Sequence, residues 1–273
     1  MVTTSSELPM AERSDTDVPS HWLLARLGKR VLRPGGVELT TKLLQHAGIS
    51  GADVVELAPG LGRTAVDIAA HSPLSYTGVD SDPDAVNTVR SVVGEHAVVV
   101  VADAAETGLP SESADVVIGE AMLTMQGDKG KRAIVAEAAR ILRPGGRYAI
   151  HELCLTPADL ADETKTELRM ALAKTMKVNA RPQTTAEWRA LLEDCGLVID
   201  YIDTSPMALL QARRVITDEG FAGTARFARN LIAHPAARRR VLAMRATFLK
   251  NKRSLVAIAI VAHRPAEGEA GTR

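Results

Sequence analysis

The residues with the strongest chemical pattern lie between 56 and 65: Glu56-Leu57-Ala58-Pro59-Gly60-Leu61-Gly62-Arg63-Thr64-Ala65. A short apolar run, Val54-Val55-Glu56-Leu57, enters this stretch, and helically spaced residues leave it from Leu61 to Ala70. Gly60 permits a tight backbone turn, and Gly62 removes a side chain where a ligand would approach the main chain. The helix that follows presents N–H groups without intrahelical partners. Ala58 and Pro59 belong to the same turn, with Pro59 stiffening it. Carboxylates recur at neighbouring strand ends: Asp80 with Ser81 after Tyr76–Val79, Asp103 with Ala104 after Ala97–Val101, and Glu120 with Ala121 after Ala114–Gly119. His151 and Glu152 close the run that begins at Arg147. An imidazole or carboxylate at that edge is a candidate proton acceptor, with a structural histidine bonded to a neighbouring loop as the alternative for His151.

Two ligands fit a glycine turn of this kind. Gly60 to Ala65 satisfies the dinucleotide pattern G-x-G-x-x-G/A, with Asp80 as the acid about twenty residues on, so an NAD-dependent oxidoreductase is one reading. Glu56 argues against it, because a carboxylate just before the turn repels a pyrophosphate and suits the methionine ammonium of S-adenosylmethionine. Asp103 is placed to accept an adenine amino group. The helix, Leu142-Arg143-Pro144-Gly145-Gly146 and strand after residue 129 complete a pattern that favours S-adenosylmethionine.

The elements that must hold these residues alternate. Strand-like runs near 54–57, 76–79, 97–101, 114–119 and 147–152 are separated by helical spacing, with Asp82-Pro83 as a helix start and Lys129 to Leu142 as an amphipathic helix. Continuous apolar strands alternating with helices indicate a parallel sheet covered on both faces. Before this core, helices are expected over Trp22–Val31 and Val37–Ala47. Beyond it, they are expected over Thr156–Lys177, from Thr185 to Gly196 and across Leu209–Lys252, with strands at Leu197–Thr204 and Leu255–His263. Residues 1–18 and 265–273 read as flexible tails around one domain, 19–264. Its core is 50–155, and helical lid segments lie at 19–48, 156–195 and 207–252. The repeated VLRPGGV (31–37) and ILRPGGR (141–147) are read as shared helix-stop chemistry.

In this pattern residues 53–152 resemble the class I S-adenosylmethionine-dependent methyltransferases, close to the group that includes the menaquinone and small-molecule methylases. The resemblance implies an α/β, Rossmann-like, doubly wound, mostly parallel seven-stranded sheet with an antiparallel last strand. It implies that Glu56, Ala58, Pro59, Gly60 and Gly62 form the cofactor turn. Asp80, with Ser81, would bind ribose, and Asp103 with Ala104 adenine. Glu120 and Ala121 would line the methionine end. Arg63 departs from the small or polar residue common in that family.

Composition narrows the acceptor. The chain of 273 residues balances 33 Lys and Arg with 33 Asp and Glu, so no global field favours nucleic acid or an anionic membrane. Aromatic residues make up 3%, too few for base-stacking platforms. Arg226 to Arg253 is strongly basic, which keeps an RNA methyltransferase as an alternative to a small-molecule enzyme with an oxygen, nitrogen or sulfur acceptor. Two cysteines without ligand spacing argue against structural zinc or disulfides. No metal is expected. A polar N-terminus and the lack of a long apolar span suit a cytoplasmic protein without a membrane span. The sequence does not indicate an oligomeric state.

Overall fold

The computed structural model describes residues 14–94, 97–207, 209–266 and 268. His96 and most of the two expected tails lie outside the described residues. The chain opens with α1 (Ser20–Arg26) and α2 (Gly36–Ala47). The alternating core is β1 (Asp53–Leu57), α3 (Arg63–Ala69), β2 (Ser75–Asp80), α4 (Pro83–Val93), β3 (Val98–Val101), β4 (Ala114–Glu120), α5 (Asp128–Ile141) and β5 (Leu142–Leu155). Then follow α6 (Asp162–Met176), the short β6 (Gln183–Thr184), α7 (Thr185–Asp194), β7 (Val198–Pro206), α8 (Ala212–Ala233), α9 (Pro235–Lys250) and β8 (Leu255–His263).

The sheet order is β3-β2-β1-β4-β5-β8-β7, with β6 paired to β5 off that path. All pairs are parallel except those of β8, which runs antiparallel to both β5 and β7. The uninterrupted apolar sequence of β8 suits a strand buried on both faces. Leu39, Leu43, Ile68, Val86 and Val89 of α2, α3 and α4 cover one face of the sheet. Val135, Ala138, Trp188 and Leu191 of α5 and α7 cover the other. Chain order reverses between β1 and β4, and in open α/β sheets the crevice at such a reversal is where ligands bind.

Local chemistry sets several boundaries. Asp82 accepts the Asp84 N–H at 2.9 Å with Pro83 at the first helical position of α4. Thr184 and Glu187 form a reciprocal cap on α7. Four elements differ from the sequence expectation. The first helix ends at Arg26, with Gly28 at φ +94°, rather than at Val31. The helix expected from Thr156 starts at Asp162, after a non-helical stretch containing Pro157. Leu142 to Gly146 belongs to β5, not to a loop. The segment after Leu209 is broken by Gly220 at φ 69°, ψ 176° and again at His234-Pro235. Residues 15–18 are anchored, because Arg240 donates to the carbonyls of Asp15 and Val18.

No helix among the described residues is long and apolar enough to cross a membrane, and no three or more of their His, Cys, Asp and Glu side chains are grouped as metal ligands would be.

Candidate active site

The turn after β1 uses left-handed backbone at Ala58 (φ 53°), Gly60 (φ 56°) and Gly62 (φ 70°). Ala58 N–H donates to Val79 O at 2.7 Å, tying the turn to β2. A Cβ on Gly60 would meet only Ala58 O, at 3.9 Å, so the main chain there is open to a ligand. Gly62 also has a packing role. Its Cβ would lie 2.5 Å from Val92 Cγ2 of α4, so this glycine permits close helix packing.

Asp80 fastens the second strand end to the same turn. Its two oxygens accept the N–H groups of Gly60 (3.1 Å) and Asp82 (3.0 Å). Burial pushes this carboxyl above the usual range, against those hydrogen bonds. Ser81 is exposed beside it. Asp103 is exposed beyond β3, with Ala104 half-buried, and one of its oxygens accepts Ala105 N–H at 2.8 Å. Because β3 lies beside β2, Asp80 and Asp103 stand on adjacent strand ends.

Glu56, Glu120 and His151 project to the α2–α4 face, where they join a buried polar cluster. Tyr76 Oη donates to Glu56 at 2.7 Å. Arg33 enters from the segment before α2, placing Nε 3.1 Å from Glu120 and Nη2 2.8 Å from Asp67. The hydroxyls of Thr40 and Thr64 each donate to Glu120. Burial pushes Glu56 up to about 8, aided by the charge of Glu120 and opposed by Tyr76 and Arg33. Burial acts on Glu120 in the same direction, but Arg33, His151 and Thr40 outweigh it and hold that carboxyl at about 2. The two acids are therefore driven apart: one protonated and one ionised near neutral pH.

Arg33 Nη1 is buried and has no hydrogen-bond partner among the described residues. An orphaned guanidinium donor inside a cluster of this kind has the chemistry to hold a carboxylate, and Glu56 beside it that to hold an ammonium. The donor set thus fits an amino-acid zwitterion, which is the methionine end of S-adenosylmethionine.

The two residues expected to carry proton transfer are otherwise engaged. His151 is wholly buried: Nε2 accepts Gly35 N–H at 2.9 Å and Nδ1 faces Glu120 at 2.9 Å. That pairing assigns the proton to Nδ1. A Cβ on Gly35 would come within 3.0 Å of His151 Nε2, so glycine is needed for this contact. Glu152 faces the opposite side of the sheet and accepts the N–H groups of Met122, Leu123 and Thr124 and the Thr124 hydroxyl. It organises the turn after β4, where Ala121 adopts φ 55° and donates to His151 O. Neither side chain offers a free lone pair to an acceptor in this arrangement.

Sequence reasoning did not single out Arg33, Thr40, Thr64, Asp67 or Tyr76. The signal for Arg33 was the repeated LRPGG. Its first copy does not stop a helix, because α1 ends at Arg26 and Gly36 begins α2. In the second copy Arg143 bridges Asp53 and Asp115 near the surface. Arg63, the family departure, is exposed and pairs with Asp67 at 3.1 Å.

Beyond this cluster α1, α6, α8 and α9 assemble an apolar cap over Leu153 and Leu155, containing Trp22, Leu172, Phe227, Met244 and Phe248. Leu61 of the glycine turn and Leu32, next to Arg33, pack against it. The polar cluster therefore passes directly into hydrophobic surroundings.

Residues 54–146 match the family model described as a methyltransferase domain. An uncharacterized protein of Haemophilus influenzae is 33% identical over 78% of this chain and 86% of its own length. The 27-O-demethylrifamycin SV methyltransferase of Amycolatopsis mediterranei is 28% identical, over 59% of this chain and 61% of its own length. Among solved structures, a Haemonchus contortus phosphoethanolamine N-methyltransferase, in complex with phosphomonomethylethanolamine and S-adenosylhomocysteine, superposes with a TM-score of 0.69. That likeness covers 97% of this chain and 61% of the other at 16% identity, a similarity of fold.

Proposed function

The chain belongs to the class I S-adenosylmethionine-dependent methyltransferases, and from that premise we propose that it methylates a small molecule with an apolar body by direct in-line displacement. The observation that carries this reading is the buried, unpartnered Nη1 of Arg33 beside Glu56, at a point where polar cluster and apolar cap meet. In this reading Arg33 holds the methionine carboxylate and Glu56 its ammonium. Gly60, flanked by Ala58 and Pro59, lets the cofactor lie against the main chain, with Glu120 and Ala121 at its methionine end. Asp80 and Ser81 serve the ribose, Asp103 and Ala104 the adenine.

When bound, S-adenosylmethionine supplies a methyl group already activated on a sulfonium. The protein's contribution is position and exclusion of water. With acceptor and cofactor both held, the acceptor's lone pair would form the new bond to the methyl carbon as the carbon–sulfur bond broke, its electron pair remaining on the sulfur of the departing S-adenosylhomocysteine. The acceptor's proton, where there is one, passes to solvent, because His151 and Glu152 are both spent on internal hydrogen bonds. Acceptors that ionise readily or carry a free lone pair suit such a site.

The apolar cap supports a hydrophobic acceptor body, and one relative is a 27-O-demethylrifamycin SV methyltransferase. RNA is the second reading, carried by the basic helices. The deciding experiment is S-adenosylhomocysteine release measured across phenols, amines, thiols and RNA. Turnover with an apolar small molecule is expected, and turnover with RNA alone would overturn the proposal.

A further inference from the structure

From Phe221 to Ser254 the chain carries nine of its 33 Lys and Arg and none of its 33 Asp and Glu. The neutral total therefore conceals strong segregation of charge. Arg226 and Arg240 are used internally, on Gly28 O and on the carbonyls of Asp15 and Val18. Arg229, Arg238, Arg239, Arg245, Lys250, Lys252 and Arg253 are exposed and have no ion-pair partner among the described residues.

α9 arranges these bases around apolar side chains. Ala237, Val241, Met244 and Phe248 are its buried stripe. At about 100° per residue, Arg238, Leu242, Arg245 and Leu249 form a second stripe spanning roughly 60° of arc and about 16 Å of axis. Arg239 and Lys250 border it on the side away from the buried stripe. Leu242 and Leu249 are 53% and 42% exposed, and Ile232, just before the corner into α9, is 71% exposed. Large apolar side chains held in water between arginines cost solvation that a purely solvated face would avoid.

We propose that α9, with the end of α8, docks flat on an anionic lipid surface. Helices that lie in the headgroup region combine an apolar stripe with flanking bases, the apolar groups entering the acyl boundary and the charged heads reaching phosphates. Charge complementarity selects an anionic surface, because seven unpaired bases face outward without an acid among them. Nucleic acid would satisfy the charges but not the leucines and isoleucine, and neither α9 nor the end of α8 beyond Gly223 carries an exposed Phe, Tyr or Trp ring to stack bases. This peripheral docking needs no membrane-spanning helix, and it holds whichever acceptor is methylated.

The test is co-sedimentation of the whole protein with vesicles of phosphatidylcholine alone or mixed with phosphatidylglycerol, beside a filter assay with single-stranded and duplex RNA. Retention is expected on mixed vesicles only, with release as salt rises. Arg238→Gln/Arg239→Gln/Arg245→Gln should lower partitioning at least about tenfold, from the loss of three bases at the surface. Leu242→Gln should also weaken retention. Both variants should keep wild-type melting temperature and S-adenosylhomocysteine affinity. Equal retention on both vesicles, retention on neither, or unchanged partitioning of the triple variant would each overturn the proposal. RNA retention without vesicle retention would assign the surface to nucleic acid instead.

Discussion

Arg33 and Glu120 meet at 3.1 Å in the interior, although Arg33 precedes the first strand and Glu120 ends the fourth. The pair joins the segment before α2 to the switch point of the sheet. Its surroundings are dry enough that each charge depends on the other.

Replacing Arg33 separates a scaffold role from a binding role. Arg33→Gln leaves Glu120 buried without its cation, a change that costs about 3–5 kcal/mol. Arg33→Lys keeps a charge near Glu120 but loses the planar fork and the Nη1 donor. The lysine variant should therefore melt close to wild type yet bind S-adenosylhomocysteine at least about tenfold more weakly, as expected for a lost charged hydrogen bond. Calorimetry and thermal unfolding read the two effects separately. Wild-type affinity in Arg33→Lys would confine Arg33 to the scaffold.

Glu56 makes binding depend on pH with a definite sign. In the folded, ligand-free protein its carboxyl is pushed up to about 8 by burial, from an ordinary 4.5. The folded state thus keeps a proton that the unfolded chain releases, so this group's contribution to stability falls as pH rises from 4.5 to about 8. A bound ammonium favours the ionised carboxylate. Binding near pH 6.5 should therefore release about one proton, measurable as a dependence of calorimetric heat on buffer ionisation enthalpy. Glu56→Gln should abolish that release and weaken binding, while its ligand-free melting temperature should fall less between pH 5 and 8. Proton uptake by the wild type would exclude this role.

The two turn glycines should respond differently to alanine. Gly62→Ala places a Cβ 2.5 Å from Val92, at a φ of 70°. Overpacking and backbone strain together should cost about 2–4 kcal/mol, with S-adenosylhomocysteine affinity of the folded fraction little changed. Gly60→Ala meets nothing closer than 3.9 Å, so its cost is limited to the strain of φ 56°, about 1 kcal/mol. Its methyl group enters space facing the ligand, and affinity should fall more than stability. A reversed pattern would mean that Gly62, not Gly60, faces the cofactor.

The strands were legible because strands buried on both faces leave near-continuous apolar runs, as the parallel Val54–Leu57 and the antiparallel Leu255–His263 do. The carboxylates at their ends were legible because type and position coincide: Asp80 and Glu120 each close such a run, and Glu56 stands one residue before the end of another. Arg33 was not, since no periodic pattern fixes the direction of a side chain in a loop. The two LRPGG copies share composition and differ in fate, one arginine going to the interior and one to the surface. A structural His151 was one of two readings, but its partner was hidden for the same reason, because it depends on where the distant Gly35 lands. The sequence pattern of Gly62 points to the ligand side and does not reveal its close contact with α4, a helix that begins twenty-one residues later.

His151 provides the sharpest test, because a proton-accepting role and a structural role predict different rescue. Its imidazole accepts from Gly35 N–H and faces Glu120 from the other nitrogen, with no exposed surface. His151→Ala removes both interactions, leaves a buried N–H unpaired and frees the segment that carries Arg33. The cost of the unpaired donor alone is about 1–3 kcal/mol. Turnover and S-adenosylhomocysteine affinity should then fall together, and the shape of the pH–rate profile should not change. Glutamine is the informative replacement. Its side-chain carbonyl can reach the position of Nε2 and accept from Gly35, but it cannot take up a proton from an acceptor. His151→Gln should therefore recover most of the affinity and turnover lost in the alanine variant. If glutamine restores affinity while turnover stays as low as in alanine, His151 moves a proton during catalysis, and the Gly35 contact must open for it to do so.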